Sequence, residues 1–217
     1  MSATHQSVPT CLVFDFDGTI ADTLSEALRL YNRLAPVYGY RQLPPHELDK
    51  ARNMTTKEFI RYYEIPRMKI PSLIREGRRI FGKRISEIQP IPGMPETLRA
   101  LRPKVSTLGI LTSNSKVNVE AFLHKEDLAF FDFISTVPKL SGKAKNLKAT
   151  MKTFTLHDSV VAYIGDETRD LKAARKAGVR TVGVTWGFNR REALRKEDPD
   201  DLFDSPVDLI RLVEPKV

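Results

Sequence analysis

Cys11-Leu12-Val13-Phe14-Asp15-Phe16-Asp17-Gly18-Thr19 is the stretch that decides how this chain is read. A short apolar, β-prone run over residues 11–16 suits a strand buried on both faces, and the Asp-Gly-Thr that follows is a turn signal. Similar runs recur at residues 107–112 (TLGILT), 131–136 (FDFIST), 160–164 (VVAYI) and 181–185 (TVGVT). Between them, residues 116–124 and 145–153 have amphipathic helical spacing. Residues 170–177 (DLKAARKA) form a third such segment, stopped by Gly178. Strands alternating with helices predict an α/β fold with a Rossmann-like parallel sheet.

Residues 22–92 break the alternation. Leu24, Ala27, Leu28, Tyr31 and Leu34 have helical spacing, and no buried-strand pattern occurs in this segment. Prolines at 36, 44, 45, 66 and 71 are expected to divide it into short helices, and Pro90, Pro92 and Gly93 mark its end before a new helix over residues 95–101. The expected organisation is therefore an α/β core over residues 1–21 and 93–217, with a small all-helical domain, 22–92, inserted after the first strand.

The chain has 217 residues, enough for a substantial core. Its 41% hydrophobic and 29% charged content is that of a globular protein rather than a disordered one. One cysteine, Cys11, excludes a disulfide framework and any cysteine-based metal cluster; it reads as a small buried hydrophobe. The opening residues have no secretory pattern and no apolar run is long enough to span a bilayer, so a cytoplasmic protein without membrane attachment is expected. The net charge of +8 points to an anionic partner. Six of those eight charges fall in residues 22–92, which hold 14 Lys/Arg against 8 Asp/Glu.

Ligands of open parallel sheets bind beyond the carboxyl ends of the strands. Those ends carry Asp15 and Asp17, then Thr112-Ser113-Asn114-Ser115, then Ser141-Gly142-Lys143, then Gly165-Asp166-Glu167-Thr168-Arg169-Asp170. Carboxylates gathered where an anion must also bind call for a hard divalent cation, and their oxygens suit Mg²⁺. A carboxylate can act as nucleophile in phosphoryl transfer, and a second, two residues on and on the same face, can exchange a proton with the leaving oxygen. A lysine and a hydroxyl would balance the charge on the phosphoryl oxygens.

These residues resemble the haloacid dehalogenase (HAD) superfamily. Val13 to Thr19 is similar to its first motif, and the order acidic pair, hydroxyl, lysine, Gly-Asp-x-x-x-Asp is similar to its four motifs. The phosphoglycolate-phosphatase-like branch is the most similar, through residues 165–179 (GDETRDLKAARKAGV) and 184–188 (VTWGF). A helical insertion after the first motif resembles that branch's small cap. The resemblance implies a Mg²⁺-dependent phosphatase acting on a small phosphorylated metabolite, with phosphoglycolate the leading candidate, through an aspartyl phosphate. It assigns Asp15 as nucleophile and metal ligand. Asp17 becomes the general acid/base and offers its carbonyl to the metal. Ser113 and Asn114, with Thr19, would bind phosphate, and Lys143 would neutralise nucleophile and phosphate. Asp166 and Asp170 would be metal residues.

Where relatives often have Lys-Pro, Lys143 is followed by Ala144. Lys145 competes for the role, with Lys139 and Lys148 nearby; Lys143 is favoured because Gly142 precedes it and a helix begins after it. Glu167 and Arg169 read as loop or salt-bridge residues, and Trp186 as a packing residue. Among the insertion's polar residues, Arg52, Asn53 and Lys57 are candidates for meeting the substrate. His5, His46, His124 and His157 share no metal-ligand spacing. A phosphomutase of the same superfamily and a phosphatase acting on nucleotides or nucleic-acid ends are the alternatives. A dehalogenase is disfavoured by Asp17, and the absence of any nucleic-acid-binding motif argues against a nucleic-acid partner. Nothing in the sequence sets an oligomeric state.

Overall fold

The computed structural model describes residues 8–137, 142–156 and 160–214. Ser141, Lys139, His5 and His157 lie outside the described residues. Among the described residues, six strands form one sheet: β1 (Cys11–Phe14), β2 (Thr107–Thr112), β3 (Phe133–Thr136), β4 (Val161–Gly165), β5 (Arg180–Val184) and β6 (Asp201–Phe203). They are ordered β3-β2-β1-β4-β5-β6 and every pairing is parallel. The chain leaves β1 to one side through β2 and later returns to the other side through β4. A crevice therefore opens beyond the carboxyl end of β1, the topological switch point of such sheets.

The alternation of side chains along β1 explains why the sheet is covered on both faces. Leu12 and Phe14 pack with Met94 and Leu98 of α5 (Met94–Leu101) and with Val119 and Phe122 of α6 (Lys116–Lys125). Cys11 and Val13 point the other way, toward Leu147 of α7 (Lys143–Thr153) and Ala174 of α8 (Thr168–Ala177). All four β1 side chains are fully buried, a contribution of about 1.5–3 kcal/mol for each large apolar one. Burial pushes the Cys11 thiol up to about 12, which keeps it a neutral core residue.

The insertion after β1 holds α1 (Leu24–Tyr38), α2 (Leu48–Arg52), α3 (Thr56–Tyr62) and α4 (Ile70–Lys83), with short 3₁₀ turns leading into α2 and α4. Its two ends run side by side. The amide of Asp22 donates to the Gln89 carbonyl and that of Ile91 to the Ile20 carbonyl, both at 2.9 Å, and Ala21 makes an antiparallel bridge with Pro90. Glu26 and Arg84 add an ion pair at 2.7 Å between the first and last turns of the segment. A single narrow neck thus carries the whole insertion.

Two expectations are corrected. Pro36 does not divide the first helix; it sits inside the last turn of α1. A proline there removes the donor to the carbonyl four residues earlier. That carbonyl, of Asn32, accepts instead from Gln42 Nε2 at 3.1 Å and so keeps a partner. The second correction is β6, absent from the strand runs. Its residues are half-buried, and it is held by Arg180 pairing with Asp201 at 2.6 Å and by Thr181 bonding the Asp200 carboxylate. The remaining α9 (Arg191–Arg195) follows β5. No helix among the described residues is long and apolar enough to cross a membrane.

Candidate active site

The turn after β1 sets the site. Phe16 O accepts from the amides of Ile20 and Ala21, and Gly18 N donates to Ala21 O, so the chain doubles back within six residues. Gly18 has φ +77°, a left-handed conformation that only glycine adopts at no cost. A Cβ there would also collide with the Asp166 carboxylate and, at 2.6 Å, with the Phe188 ring. Glycine is thus required twice, by the backbone angle and by the close approach of β4's carboxylate.

This geometry brings Asp15, Asp17, Asn114, Lys143, Glu167 and Asp170 to one rim. Asp15 is 2% exposed and receives its own neighbour's amide, Phe16 N, at 2.8 Å. The Lys143 ammonium, 5% exposed, bridges Asp15 Oδ2 at 2.6 Å and Asp170 Oδ1 at 2.5 Å. Lys145 is exposed on the far side of α7, so the lysine that enters the site is Lys143. Asp17 accepts both of its bonds from Asn114 Nδ2, at 3.1 and 3.2 Å. Asn114 is itself fixed by Asn118, whose Nδ2 reaches Asn114 Oδ1 at 3.0 Å and the Arg78 carbonyl at 3.3 Å.

The run of hydroxyls after β2 separates by role. Thr112 Oγ1 accepts from the Asn114 amide at 3.0 Å, and Ser115 Oγ caps α6 through Asn118 N at 3.2 Å. Ser113 alone lines the cavity, and no hydrogen bond to another described residue ties its hydroxyl. Thr19 departs from expectation. Its hydroxyl is fully buried and donates to Asp166 Oδ1 at 2.7 Å, so it orients a carboxylate and does not face the cavity as a phosphate ligand would. Asp166 is held further by Phe188 N at 2.7 Å. Asp170 serves two purposes at once: it accepts from Glu167 N at the start of α8 and from Lys143.

Burial dominates the electrostatics. It pushes the Asp15 carboxyl up to about 7 against the pull of Lys143, and Asp17 up to about 6 against its bonds from Asn114. Asp166 is raised well above the usual carboxylate range by burial, then by Glu167 and Asp170. Desolvation works against the Lys143 charge, but Asp15 and Asp170 outweigh it and hold the ammonium protonated.

Oxygens of Asp15, Glu167 and Asp170 lie within 4.8 Å of one another. An all-carboxylate donor set at this spacing fits a hard divalent cation. Glu167 is the member the sequence reading missed. It pairs with Arg169 at 2.5 Å, as expected, yet it also faces the cavity. Its extended backbone at the start of α8 turns the side chain inward, and no motif residue marks that.

A cavity of about 390 Å³ opens above the rim, with Asp17, Ser113, Asn114, Glu167, Arg169 and Phe188 as its floor and α1, α3 and α4 as its walls and roof. From α4, Arg78 reaches it close enough to Asp17 for the two charges to attract. Arg52, Asn53 and Lys57 do not line it. Arg52 instead donates to the carbonyls of Gly187 and Phe188, the latter at 3.2 Å, while Asn189 Nδ2 donates back to Arg52 O at 2.9 Å. Asn53 bonds the Asp49 carbonyl, and Lys57 is exposed. Trp186 packs on the core and donates to the Thr19 carbonyl at 3.1 Å.

The family model of haloacid dehalogenase-like hydrolases matches residues 12–184. The phosphoglycolate phosphatase of Synechococcus elongatus is 34% identical over 203 residues, covering 93% of this chain and 96% of that protein. The phosphoglycolate phosphatase of Agrobacterium fabrum is 28% identical, covering 93% and 91%. Among solved structures, a predicted phosphatase from Clostridium acetobutylicum superposes with a TM-score of 0.78 at 24% identity, over 94% of this chain and 98% of that one. The chain belongs to the haloacid dehalogenase-like hydrolases, and within them it is a phosphoric monoester hydrolase.

Proposed function

We propose that the chain is a Mg²⁺-dependent phosphatase of small phosphomonoesters that works through an aspartyl phosphate on Asp15. The observation that carries this is the buried Asp15–Lys143–Asp170 bridge standing next to a second, separately held carboxylate, Asp17. Asp15, Glu167 and Asp170 would hold the cation, with the Asp17 carbonyl as a further donor; Asp166, expected as a direct ligand, stands outside that trio, its two oxygens accepting from the Thr19 hydroxyl and the Phe188 amide. Mg²⁺ bound there supplies charge neutralisation for the carboxylates and for the phosphoryl oxygens.

In the first step an Asp15 oxygen forms a bond to phosphorus while the ester P–O bond breaks, and Asp17 gives its proton to the leaving alcohol. Its carboxyl, pushed up to about 6, is suited to holding that proton near neutral pH. In the second step Asp17 takes a proton from water, which attacks phosphorus and releases inorganic phosphate and free Asp15. Asn114 keeps the Asp17 carboxyl aimed at the cavity, and Lys143 and Ser113 meet the charge on the transferring group. Residues 22–92 act as the cap. Their neck at residues 20–22 and 89–91 hinges the cap, and the Arg52 contacts with Gly187 and Phe188 hold it down over the site.

Phosphoglycolate is the reference substrate, since a phosphatase of that name is 34% identical along nearly the whole chain. The test is release of inorganic phosphate from an aryl phosphate and from phosphoglycolate, with and without Mg²⁺. Metal-dependent turnover that disappears in Asp15→Asn is expected. Full activity in that variant refutes the nucleophile assignment.

A further inference from the structure

We propose that the substrates of this site are phosphomonoesters whose leaving alcohol or phenol carries a sizeable apolar body. The proposal rests on the phosphatase reading and names what that site selects.

The floor of the 390 Å³ cavity is polar, whereas its walls are mostly apolar, with Thr23, Thr56 and Arg78 the polar residues among them. Leu30, Leu34, Phe59, Ile65, Leu73 and Ile74 face into it from the insertion. Tyr31 and Tyr40 line it too, yet their hydroxyls are committed elsewhere: Tyr31 donates to the Arg41 carbonyl at 2.7 Å and Tyr40 to the Tyr31 carbonyl at 2.8 Å. Their hydroxyls are thus engaged within the insertion. Leu34 and Tyr40, with Leu30, Tyr31, Ile65 and Leu73 against them, form one hydrophobic cluster, so one end of the cavity is continuous apolar surface.

Size and charge both argue against a two-carbon acid as the best fit. Cavities of about 300–1,000 Å³ accommodate ligands of many heavy atoms. The carboxylate of a glycolate group carried toward the apolar end would lose its hydration without a partner there, which is strongly unfavourable. Arg78, the residue whose cation α4 brings to the cavity, stands instead near Asp17 and donates to the Val137 carbonyl at 3.0 Å.

Gly77 adds an independent observation. It stands in the interior of α4, where glycine is a poor helix former, and its φ is not left-handed. A Cβ placed on it meets only Leu30 Cδ2, at 3.6 Å, an ordinary contact. Neither backbone conformation nor crowding of the fold demands glycine here. What a side chain would occupy is cavity volume beside Leu30, so the glycine keeps room for the leaving group.

The test uses the full chain with Mg²⁺ and a series of straight-chain alkyl phosphates from methyl to hexyl, together with phenyl phosphate and phosphoglycolate. Each methylene that enters the cavity is expected to raise kcat/KM by about four-fold until the space is filled, mostly through KM. Hexyl and phenyl phosphate are expected to surpass phosphoglycolate. Gly77→Leu should collapse the hexyl-to-methyl ratio. Binding of unreactive alkyl phosphonates, followed by calorimetry, should show the same dependence on chain length without turnover. A flat series with phosphoglycolate the best substrate overturns this inference and leaves the phosphatase standing. Absence of Mg²⁺-dependent release from every compound overturns the phosphatase reading, and this inference falls with it.

Discussion

Lys143→Met removes the charge from the centre of the rim while keeping most of the side-chain volume. The ammonium is 5% exposed and bonded at 2.6 and 2.5 Å to two carboxylates that are themselves buried. Removing one partner from such a buried pair costs about 3–5 kcal/mol, because the remaining charges have neither water nor counter-charge. In a chain of this length each kcal/mol moves the melting point by about 2–4 °C, so a loss of about 6–20 °C is expected. The loss must depend on pH, and its sign can be worked out. The Asp15 carboxyl is pushed up to about 7 even beside the ammonium, and without it rises further. A carboxyl raised in the folded state favours folding when protonated, and that contribution drains away as pH climbs through its folded value. The part of the variant's deficit that comes from Asp15 should therefore be absent near about pH 5, where Asp15 is protonated in both proteins, so the total deficit is smaller there than near about pH 8. Thermal melts followed by circular dichroism in a chelating buffer, with Lys145→Met alongside, measure it. A deficit of equal size at both pH values, or an equal loss in the exposed Lys145 variant, refutes the reasoning.

Asp17→Asn keeps the shape of the group and its contact with Asn114 but cannot donate or take a proton; kcat in phosphate release should fall by about 10²–10⁴-fold. Mg²⁺ at about a hundred times its dissociation constant should add about 2.7 kcal/mol of stability, read as a rise in melting temperature. That rise should be larger in alkaline than in acid buffer, since the Asp15 carboxyl, pushed up to about 7, must be deprotonated to bind it. Gly18→Ala forces a side chain into the left-handed region and against Asp166 and Phe188, so it should cost more than about 1 kcal/mol in urea unfolding and weaken the Mg²⁺ response.

The sheet was largely legible because its strands are buried on both faces, which leaves short continuous apolar runs between helical segments. β2 has the bounds read from TLGILT, while β3 starts later than its run because Asp132 turns back to accept from Leu108 N at 2.7 Å. β6 was not legible: Asp201-Leu202-Phe203 has no apolar run, and ion pairs to β5 hold it in place. Pro36 misled because the compensating donor, Gln42, comes from outside the helix. In the site, Asp15, Asp17, Ser113, Lys143 and Asp170 sit where turn chemistry and strand ends pointed. Glu167, Arg78 and Asn118 were not visible as site residues. Their places depend on the start of α8, on the lie of α4 over the rim and on a side-chain bond across α6, none of which has a local spacing. The basic excess of the insertion proved a poor guide to its inner surface. Charges such as those of Lys57, Arg67 and Lys69 face solvent, while the cavity side is mostly aliphatic and aromatic, Arg78 being the one insertion cation that lines it.

The neck formed by Asp22 against Gln89 and Ile20 against Ile91 has a consequence for how such a chain can change over time. Because the two crossings are adjacent, the distance that any replacement segment must span is only a few ångströms. Closing a loop over so short a gap depends weakly on loop length, each doubling costing about 0.6 kcal/mol. The sheet and its rim can therefore keep their register while the segment above is lengthened, shortened or exchanged. On the proposed function, chemistry and selectivity become separable inheritances: one written in strand ends, the other in a module that plugs in at a single socket.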